Sequence, residues 1–376
     1  MSEGSLKGPL AEGARVMVIR LGAVGDVVRA LAAVGVLRRE RPDVWIGWLV
    51  EEPSHLLLER NPAVDEVFVF ERRGWGRAQG LGGRWRWLAS AAALRRRLRT
   101  CGFDVAVDLQ GTLKSAAWAV ASGARVRLGF GRGLARELSW MWMHRRIDSS
   151  SGARSRLQQF MALVRALGVG GERPPVSPSV PFPPIEDRQE KVAGWILERG
   201  FQDRPWVVIH PGSSRAQQFK RWPAPRFAEV GRRLAARGVG VVIGWGPGEK
   251  DLAREVEAGC AGGAVLAPAG DLLDMAALLS QAHAFIGNDS GPMHIAWAVG
   301  APVVGLFGPT DPEINAPPGS ANRVLYAGPA RQPGERRARR PLYLDRIQPG
   351  EVVSAVREIL DRGGARRRNT TTARCG

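Results

Sequence analysis

The chain has few cysteines, and those it has are poorly placed for pairing. Cys101, Cys260 and Cys375 are odd in number and far apart. This pattern argues against a disulfide framework and a zinc knuckle, and it fits a reducing cytosol. The N-terminus lacks an apolar signal core, and no apolar stretch approaches the roughly 20 residues that a membrane-spanning helix needs. We therefore expect a protein that is soluble or that lies on a membrane surface.

Lysine is also scarce, and arginine supplies nearly all of the positive charge. The formal net charge is +18 at pH 7. A charge of this size predicts attraction to an anionic partner, which leaves nucleic acid, a membrane surface and a phosphorylated substrate as candidates.

Patterns typical of metal sites are missing as well. No Asp-x-Asp motif occurs, and the histidines His55, His144, His210, His283 and His294 have no ligand spacing. We therefore expect no metal and no cofactor.

The chain is long enough for two domains of ordinary size, with 376 residues of which 44% are hydrophobic. Strands alternate with helices in both halves, which implies parallel sheets. A proline-rich stretch predicts a linker over 171–186. The fold class is therefore α/β, with one doubly wound domain over 13–170 and another over 187–362, the second closed by a helix at 352–360. The predicted strands are 15–20, 44–50, 67–70, 105–109, 206–210, 239–244, 264–267, 284–286 and 303–307, and the helices include 26–41 and 84–99.

The most specific motif is Gly287-Asn-Asp-Ser-Gly-Pro-Met-His. The apolar run before it predicts a buried strand, and Pro292 marks the first turn of a helix. Free backbone N–H groups and the helix dipole make such a turn an anion site. Asp289 suits sugar hydroxyls better than phosphate, so the combination indicates a nucleotide-sugar. Ser290 fits a helix cap and a ligand contact equally well.

Other polar residues follow neighbouring strands of the second half. Ser213 and Ser214 offer donors at a turn, and Lys220, in the run Phe-Lys-Arg-Trp-Pro, can reach a pyrophosphate. We expect the Trp-Pro of this run to pack the turn. Glu249 suits ribose hydroxyls or an exposed helix start, and His294 suits a diphosphate or the core.

The first strand ends in Arg-Leu-Gly-Ala-Val-Gly-Asp, with the acid at Asp26. The G-x-G-x-x-G dinucleotide fingerprint is absent, since only Gly22 and Gly25 are present. An acid at this point is favoured by the helix dipole, but its position at a strand end also suits a functional carboxylate. We favour the functional role.

Together these motifs resemble the ADP-heptose–lipopolysaccharide heptosyltransferases of glycosyltransferase family nine, over roughly Arg15 to Leu360. The resemblance implies the GT-B fold, in which two Rossmann-like domains face a cleft, the first binding acceptor and the second binding the nucleotide-sugar. It implies that Asp26 is the catalytic base. The implied donor-binding residues are Ser213, Ser214, Lys220, Glu249, Asp289, Ser290, Gly291 and His294. The implied acceptor-binding residues are Arg72, Arg73, Arg77, Lys114 and Arg136.

The resemblance further implies an inverting, metal-independent transfer of heptose from ADP-heptose to lipid A bearing 3-deoxy-octulosonic acid (Kdo), or to a first heptose. Such an enzyme is cytoplasmic and contacts the anionic inner face of the inner membrane. The first half resembles enzymes that add the first heptose, whereas the second-half motifs are closer to those that add the second. The resemblance assigns no role to the basic segment 331–340.

Two alternatives remain. The chain could use another nucleotide-sugar, as a glycosyltransferase or as a GT-B-like epimerase. It could instead be a basic nucleic-acid-binding protein, although no nucleic-acid motif is recognised and acids lie at the strand ends, so we expect no nucleic acid.

Overall fold

The computed structural model describes residues 10–70, 80–148, 152–169, 180–328 and 344–372. The chain divides into two compact units, Met1–Pro184 and Ile185–Gly376. The division falls inside the proline-rich segment 171–186. The predicted acceptor residues Arg72, Arg73 and Arg77 and the basic segment 331–340 lie outside the described residues.

The first unit contains a six-stranded parallel sheet in the order β3-β2-β1-β4-β5-β6. Its strands are β1 (Arg15–Ile19), β2 (Trp45–Glu51), β3 (Glu66–Phe70), β4 (Val105–Asp108), β5 (Val126–Phe130) and β6 (Arg145–Ile147). Its helices are α1 (Val24–Glu40), α2 (Gly80–Thr100), α3 (Leu113–Ala121) and α4 (Arg156–Arg165), with 3₁₀ helices at Ser54–Leu57 and Ser139–Trp142.

The second unit contains another six-stranded parallel sheet, in the order β12-β11-β10-β7-β8-β9. Its strands are β7 (Trp206–His210), β8 (Gly240–Ile243), β9 (Val265–Leu266), β10 (Ala284–Asn288), β11 (Val303–Phe307) and β12 (Arg323–Tyr326). Its helices are α5 (Glu186–Glu198), α6 (Ala224–Ala235), α7 (Lys250–Gly259), α8 (Leu272–Gln281), α9 (Gly291–Ala298), α10 (Pro312–Asn315) and α11 (Pro349–Thr372), with 3₁₀ helices at Arg215–Lys220 and Leu344–Arg346.

Both sheets have the same topology. Counted from the first strand of its own unit, each sheet has the order 3-2-1-4-5-6 of the doubly wound fold. The strand order reverses between β1 and β4 in the first unit and between β7 and β10 in the second. Ligands of this fold bind outside the carboxyl ends of the strands at that point. The prediction of two doubly wound α/β domains is confirmed.

Central strands that are covered on both faces explain the continuous apolar runs in the sequence. All five residues of β7, β10 and β11 are buried. The strands β5, β6 and β12 were not predicted; no residue of β6 or β12 is buried, whereas the last three residues of β5 are buried. Within the described ranges, no helix is long and apolar enough to span a membrane.

Candidate active site

Asp26 lies in the first turn of α1, just beyond the carboxyl end of β1. Its two carboxylate oxygens accept from different guanidinium groups: Oδ1 lies 2.5 Å from Arg29 Nη2, and Oδ2 accepts from Arg20 Nη2. Both arginines are buried, whereas the Asp26 side chain stays 22% exposed. The aspartate is therefore held in a fixed orientation and still has an accessible face.

Further positive charge surrounds this aspartate. Burial lowers the pKa of the Arg156 guanidinium on α4, and the nearby charges of Arg136 and Arg29 act in the same direction, whereas Asp26 opposes them. Burial also lowers the pKa of Arg20. One carboxylate among several guanidinium groups leaves a local excess of positive charge, which favours an anionic ligand.

Lys114 occupies the first turn of α3 and forms an ion pair with Glu51 at the end of β2. Its ammonium group also lies 4.8 Å from the centre of the Phe70 ring. The turn before α3 is fixed by the fully buried Asp108, which accepts from Gly111 N at 3.0 Å and from Ser115 Oγ at 2.9 Å. Burial raises the pKa of Asp108.

In the second unit, Lys220 and Asp289 form a largely buried ion pair. Lys220 Nζ lies 2.9 Å from Asp289 Oδ2, and only 11% and 7% of the two side chains is exposed. The other carboxylate oxygen, Oδ1, lies 3.9 Å from His294 Nε2. His294 is itself buried, in the first turns of α9.

The hydroxyl of Ser290 lies at the N-terminus of α9. Ser290 occupies the N-cap position, but its side chain makes no capping hydrogen bond, so the cap interpretation is wrong for this hydroxyl. Ser290 Oγ is buried and has no hydrogen-bond partner among the described residues. Thr310 Oγ1, which follows β11, is likewise buried without a partner in the described part of the chain. A buried hydroxyl without a partner is costly, so both positions suit a ligand that supplies hydrogen-bonding groups.

Asn288 holds this region together. Its Oδ1 accepts from Trp222 N at 2.9 Å, and its Nδ2 donates to Pro211 O at 3.0 Å. Trp222 is 1% exposed and packs edge-on against Phe227, which confirms that the Trp-Pro run packs the turn. The end of β10 is thereby joined to the loop that follows β7 and to the segment that presents Lys220.

The loop after β7 forms a second group of polar contacts. Ser213 Oγ donates to Gln217 O at 3.0 Å and accepts from Arg221 Nε at 3.1 Å. Arg221 Nη2 lies 3.5 Å from Glu249 Oε1. Only 12% of the Glu249 side chain is exposed, so its interpretation as an exposed helix-start residue is wrong.

Glycine at position 212 makes room for the Glu249 carboxylate. A Cβ atom built on Gly212 would lie 2.2 Å from Glu249 Oε2, well inside the contact distance. Glu249 Oε2 also accepts from Gly246 N at 3.0 Å. His210 Nε2 lies 3.5 Å from the same oxygen, and burial lowers the pKa of this histidine.

A cavity of about 460 Å³ adjoins this group. Its volume lies within the range of small-molecule sites. The residues that line it are Ser213, Ser214, Arg215, Gln218, Arg221, Pro247, Gly248 and Glu249.

The described ranges contain no group of three or more His, Cys, Asp or Glu side chains placed to hold a metal ion. The cations near the candidate anion positions are instead lysine and arginine side chains.

The structure brings the predicted donor residues into two groups, Lys220–Asp289–Ser290–Gly291–His294 and Ser213–Ser214–Glu249, near the ends of β7, β8 and β10. Asp26 and Lys114 lie at strand ends of the first unit, and Arg136 lies exposed in the loop after β5. Four further residues near the candidate site were not predicted from the sequence: Arg20, Arg29, Arg156 and Thr310. For Arg20 a signal existed, because it directly follows the first strand in the same turn as Asp26.

A model of glycosyltransferase family 9 (heptosyltransferase) matches residues 91–340. Lipopolysaccharide heptosyltransferase 1 of Pseudomonas aeruginosa is 30% identical over 310 residues, which cover 79% of this chain and 79% of the relative. Lipopolysaccharide heptosyltransferase 3 of Escherichia coli is 28% identical over 343 residues, which cover 89% and 96%.

The fold has solved counterparts. The structure of the E. coli heptosyltransferase WaaC with ADP superposes with a TM-score of 0.73 at 22% identity, covering 92% of this chain and 99% of that chain. At this identity the likeness shows the GT-B fold.

Proposed function

This chain belongs to glycosyltransferase family 9, the heptosyltransferases, and we propose that it transfers heptose from ADP-heptose to the inner core of lipopolysaccharide. One observation carries the proposal: the Lys220–Asp289 ion pair lies beside the unpartnered Ser290 hydroxyl at the N-terminus of α9, at the reversal point of the second sheet. A cation, a helix N-terminus and a sugar-binding carboxylate are what a diphosphate-linked sugar requires.

The donor would bind to the second unit. Lys220, the Ser290 hydroxyl and the backbone N–H of Gly291 would contact the diphosphate, and Asp289 would accept from sugar hydroxyls. The cavity beside Glu249 would hold the ribose, with the carboxylate accepting from its hydroxyl groups.

The reaction would be a single displacement. Asp26 would remove the proton from the acceptor hydroxyl as its oxygen attacks C1 of the heptose, and the bond from C1 to the diphosphate oxygen would break. ADP then leaves with the bonding electrons, and one attack from the opposite face inverts the configuration at C1. Lys220 and the N-terminus of α9 would stabilise the negative charge that develops on the diphosphate, so no metal ion is required.

The acceptor would bind to the first unit. Kdo and the phosphates of lipid A are anionic, and the arginines around Asp26 supply the matching charge. Arg136, Lys114 and the three arginines at positions 72, 73 and 77 are the proposed acceptor contacts. Because lipid A is membrane-anchored, we propose that the protein works at the anionic inner face of the inner membrane.

Calorimetric titration with ADP, UDP and GDP in excess chelator tests the donor assignment. We expect ADP to bind at least about tenfold more tightly than the other two, a difference of about 1.4 kcal/mol, and added magnesium to change little. Equal affinities, or binding that requires magnesium, would contradict the proposal. A filter-binding assay at moderate salt tests the nucleic-acid alternative, and retention of nucleic acid would favour it.

A further inference from the structure

An exposed apolar patch lies on the first unit, close to two of the proposed acceptor contacts. We call Leu113, Leu138, Met141 and Trp142 the loop patch. Their side chains are 43%, 60%, 56% and 42% exposed. Leu113 begins α3, and the other three belong to the loop between β5 and β6, which packs on α3.

Hydrogen bonds between α3 and the loop hold the patch together. Arg136 N donates to Gly111 O at 2.7 Å, and Leu113 N donates to Glu137 Oε2 at 3.2 Å. These bonds join residues 136 and 137 of the loop to the start of α3, where Lys114 directly follows Leu113 in the chain. The patch is thus a fixed surface feature with proposed acceptor contacts at its edge.

Folding alone does not account for the residues of this patch. Leu138 has a φ of 60° and Glu137 a φ of 54°, which is the left-handed region that favours glycine or asparagine. A leucine there is strained, and at 60% exposure it gains little from burial. Such a residue suits a surface that makes its apolar contact with something outside the chain.

Arginines lie close to the loop patch. Arg127 Nε donates to Trp142 O at 2.7 Å, and the guanidinium groups of Arg132 and Arg146 lie 6.0 Å and 5.0 Å from the Trp140 ring. The basic side chains between Gly123 and Asp148 are Arg125, Arg127, Arg132, Arg136, Arg145 and Arg146, against the acids Glu137 and Asp148. Exposed tryptophan, methionine and leucine beside arginines match the interface of an anionic bilayer, where apolar groups enter the acyl boundary and cations meet headgroups.

We propose that the loop patch docks the protein on an anionic lipid bilayer, with Leu138, Met141 and Trp142 in the interfacial layer and the arginines on the headgroups. The inference rests on the proposed function in one respect: a membrane-anchored acceptor has to reach Lys114 and Arg136 beside the patch. Docking at this point would bring those residues to the membrane surface and shorten the path of the acceptor.

Co-sedimentation with lipid vesicles tests the proposal. The test variant combines Leu138→Asn with Met141→Gln, and the matched control is Leu197→Gln, which removes a leucine of equal exposure, 61%, from α5. Asparagine tolerates the left-handed conformation, so the thermal midpoint of the test variant should not fall. We expect its partitioning into phosphatidylglycerol-containing vesicles to drop about tenfold or more, while the control keeps wild-type partitioning and neither protein binds pure phosphatidylcholine strongly.

Three results would overturn the proposal. One is wild-type vesicle binding by the Leu138→Asn, Met141→Gln variant. A second is loss of binding only when Trp85 and Leu88, two exposed apolar residues of α2, are replaced by glutamine. A third concerns association between copies of the chain. If the wild type sediments in a concentration-dependent way, and the variant loses this behaviour while its vesicle binding is unchanged, the patch mediates self-association.

A transfer assay separates this inference from the proposed function. We expect the variant to use a deacylated, water-soluble acceptor as well as the wild type does, and to lose activity only on acceptor embedded in vesicles. If the wild type transfers no heptose at all, the proposed function fails, but the vesicle measurement still decides the docking surface, because it needs neither donor nor acceptor.

Discussion

Asp26 accepts from two buried arginines and keeps one accessible face, so the fold fixes its orientation. A catalytic base has to reach the proton of the acceptor hydroxyl, and general-base catalysis typically contributes a factor of about 10²–10⁴. We predict that Asp26→Asn lowers kcat at least about 100-fold. Steady-state rates at saturating donor and acceptor provide the measurement.

Donor affinity is the control for this variant, because the proposed donor residues belong to the other unit. We expect calorimetric ADP affinity to stay at the wild-type value. The thermal midpoint should fall, since Arg20 and Arg29 lose a counter-charge. A turnover near the wild-type rate would mean that Asp26 serves only the ion pairs and the start of α1.

Lys220 is the proposed contact to the diphosphate. We predict that Lys220→Ala weakens ADP binding by about 1.5–3 kcal/mol, the usual size of a hydrogen bond to a charged group, and weakens adenosine binding far less. Calorimetric titration of both ligands measures the difference. Lys250→Ala is the matched control, because Lys250 is an exposed lysine of the same unit whose ammonium group lies over the Trp245 ring. An equal loss for ADP and adenosine would reveal a folding effect instead.

At this scale the sequence predicted which side chains lie at strand ends, but not how they pair. Asp26, Lys220 and Asp289 follow apolar runs, and this position can be recognised from the sequence alone. Their partners depend on which helix packs where: Arg156 approaches Asp26 only because α4 packs on α1. The ion pair between Lys220 and Asp289 likewise joins segments that are 69 positions apart.

Among the elements, the turn after β7 depends on a glycine. Alanine at position 212 would place a Cβ atom 2.2 Å from Glu249 Oε2, so the carboxylate would have to move. We predict that Gly212→Ala weakens adenosine binding at least about tenfold, which corresponds to about 1.4 kcal/mol. Gly238→Ala provides a comparison, because it also replaces a glycine of the second unit but meets no atom within 4 Å, although its φ of 78° adds local strain. Unchanged adenosine affinity in Gly212→Ala would argue against a role of Glu249 in ribose binding.

The end of β7 also predicts a pH effect on stability. His210 is buried, and burial lowers its pKa below the ordinary value of 6.5. The unfolded chain therefore takes up a proton at a higher pH than the folded chain. Neutral His210 therefore contributes fully to the stability of the folded state above pH 6.5. This contribution is lost as the pH falls from 6.5 through the lower pKa of the folded state.

Urea unfolding measured at about pH 7.5 and about pH 5.5 tests this effect. We expect the wild-type free energy of unfolding of the second unit to be smaller at the lower pH, and the difference to shrink in His210→Gln. An identical pH dependence in the two proteins would show that His210 is not the titrating group.

Central elements were easier to predict than edge elements. The strands β1, β7, β10 and β11 are continuous apolar runs because helices or other chain cover both of their faces. The missed strands β6 and β12 lie at the sheet edges, and β5 lies next to an edge. They contain exposed or partly exposed arginines, such as Arg146 and Arg323, because they have less core to fill. Their presence depends on a neighbouring strand rather than on their own hydrophobicity.

In the two units together, the repeated 3-2-1-4-5-6 order explains why the proposed functional residues occur in both halves of the sequence. Each unit has its own reversal point, and each reversal point has its own charged cluster. Alternation of strands and helices predicted the two parallel sheets. The order of the strands was not predictable from that alternation, because it depends on which side of the first strand each crossover returns to.

The net charge of +18 is a property of the full sequence. It does not distinguish a phosphorylated, membrane-anchored acceptor from nucleic acid, since both attract arginine. Two features distinguish the acceptor from nucleic acid. One is the acid among the arginines in the first unit, and the other is the ion pair at the helix N-terminus in the second unit. Neither serves a phosphate backbone.

The proposed reaction transfers heptose from ADP-heptose to the inner core. The most direct test incubates the wild-type protein with ADP-heptose and Kdo–lipid A or its heptosylated form, in excess chelator, and follows ADP release together with the mass of the acceptor. We expect one ADP to be released for each heptose that the acceptor gains, and we expect Asp26→Asn to be nearly inactive. ADP-heptose that is epimerised or hydrolysed while the acceptor mass stays unchanged, or an acceptor that gains its sugar only from another nucleotide-sugar, would contradict it.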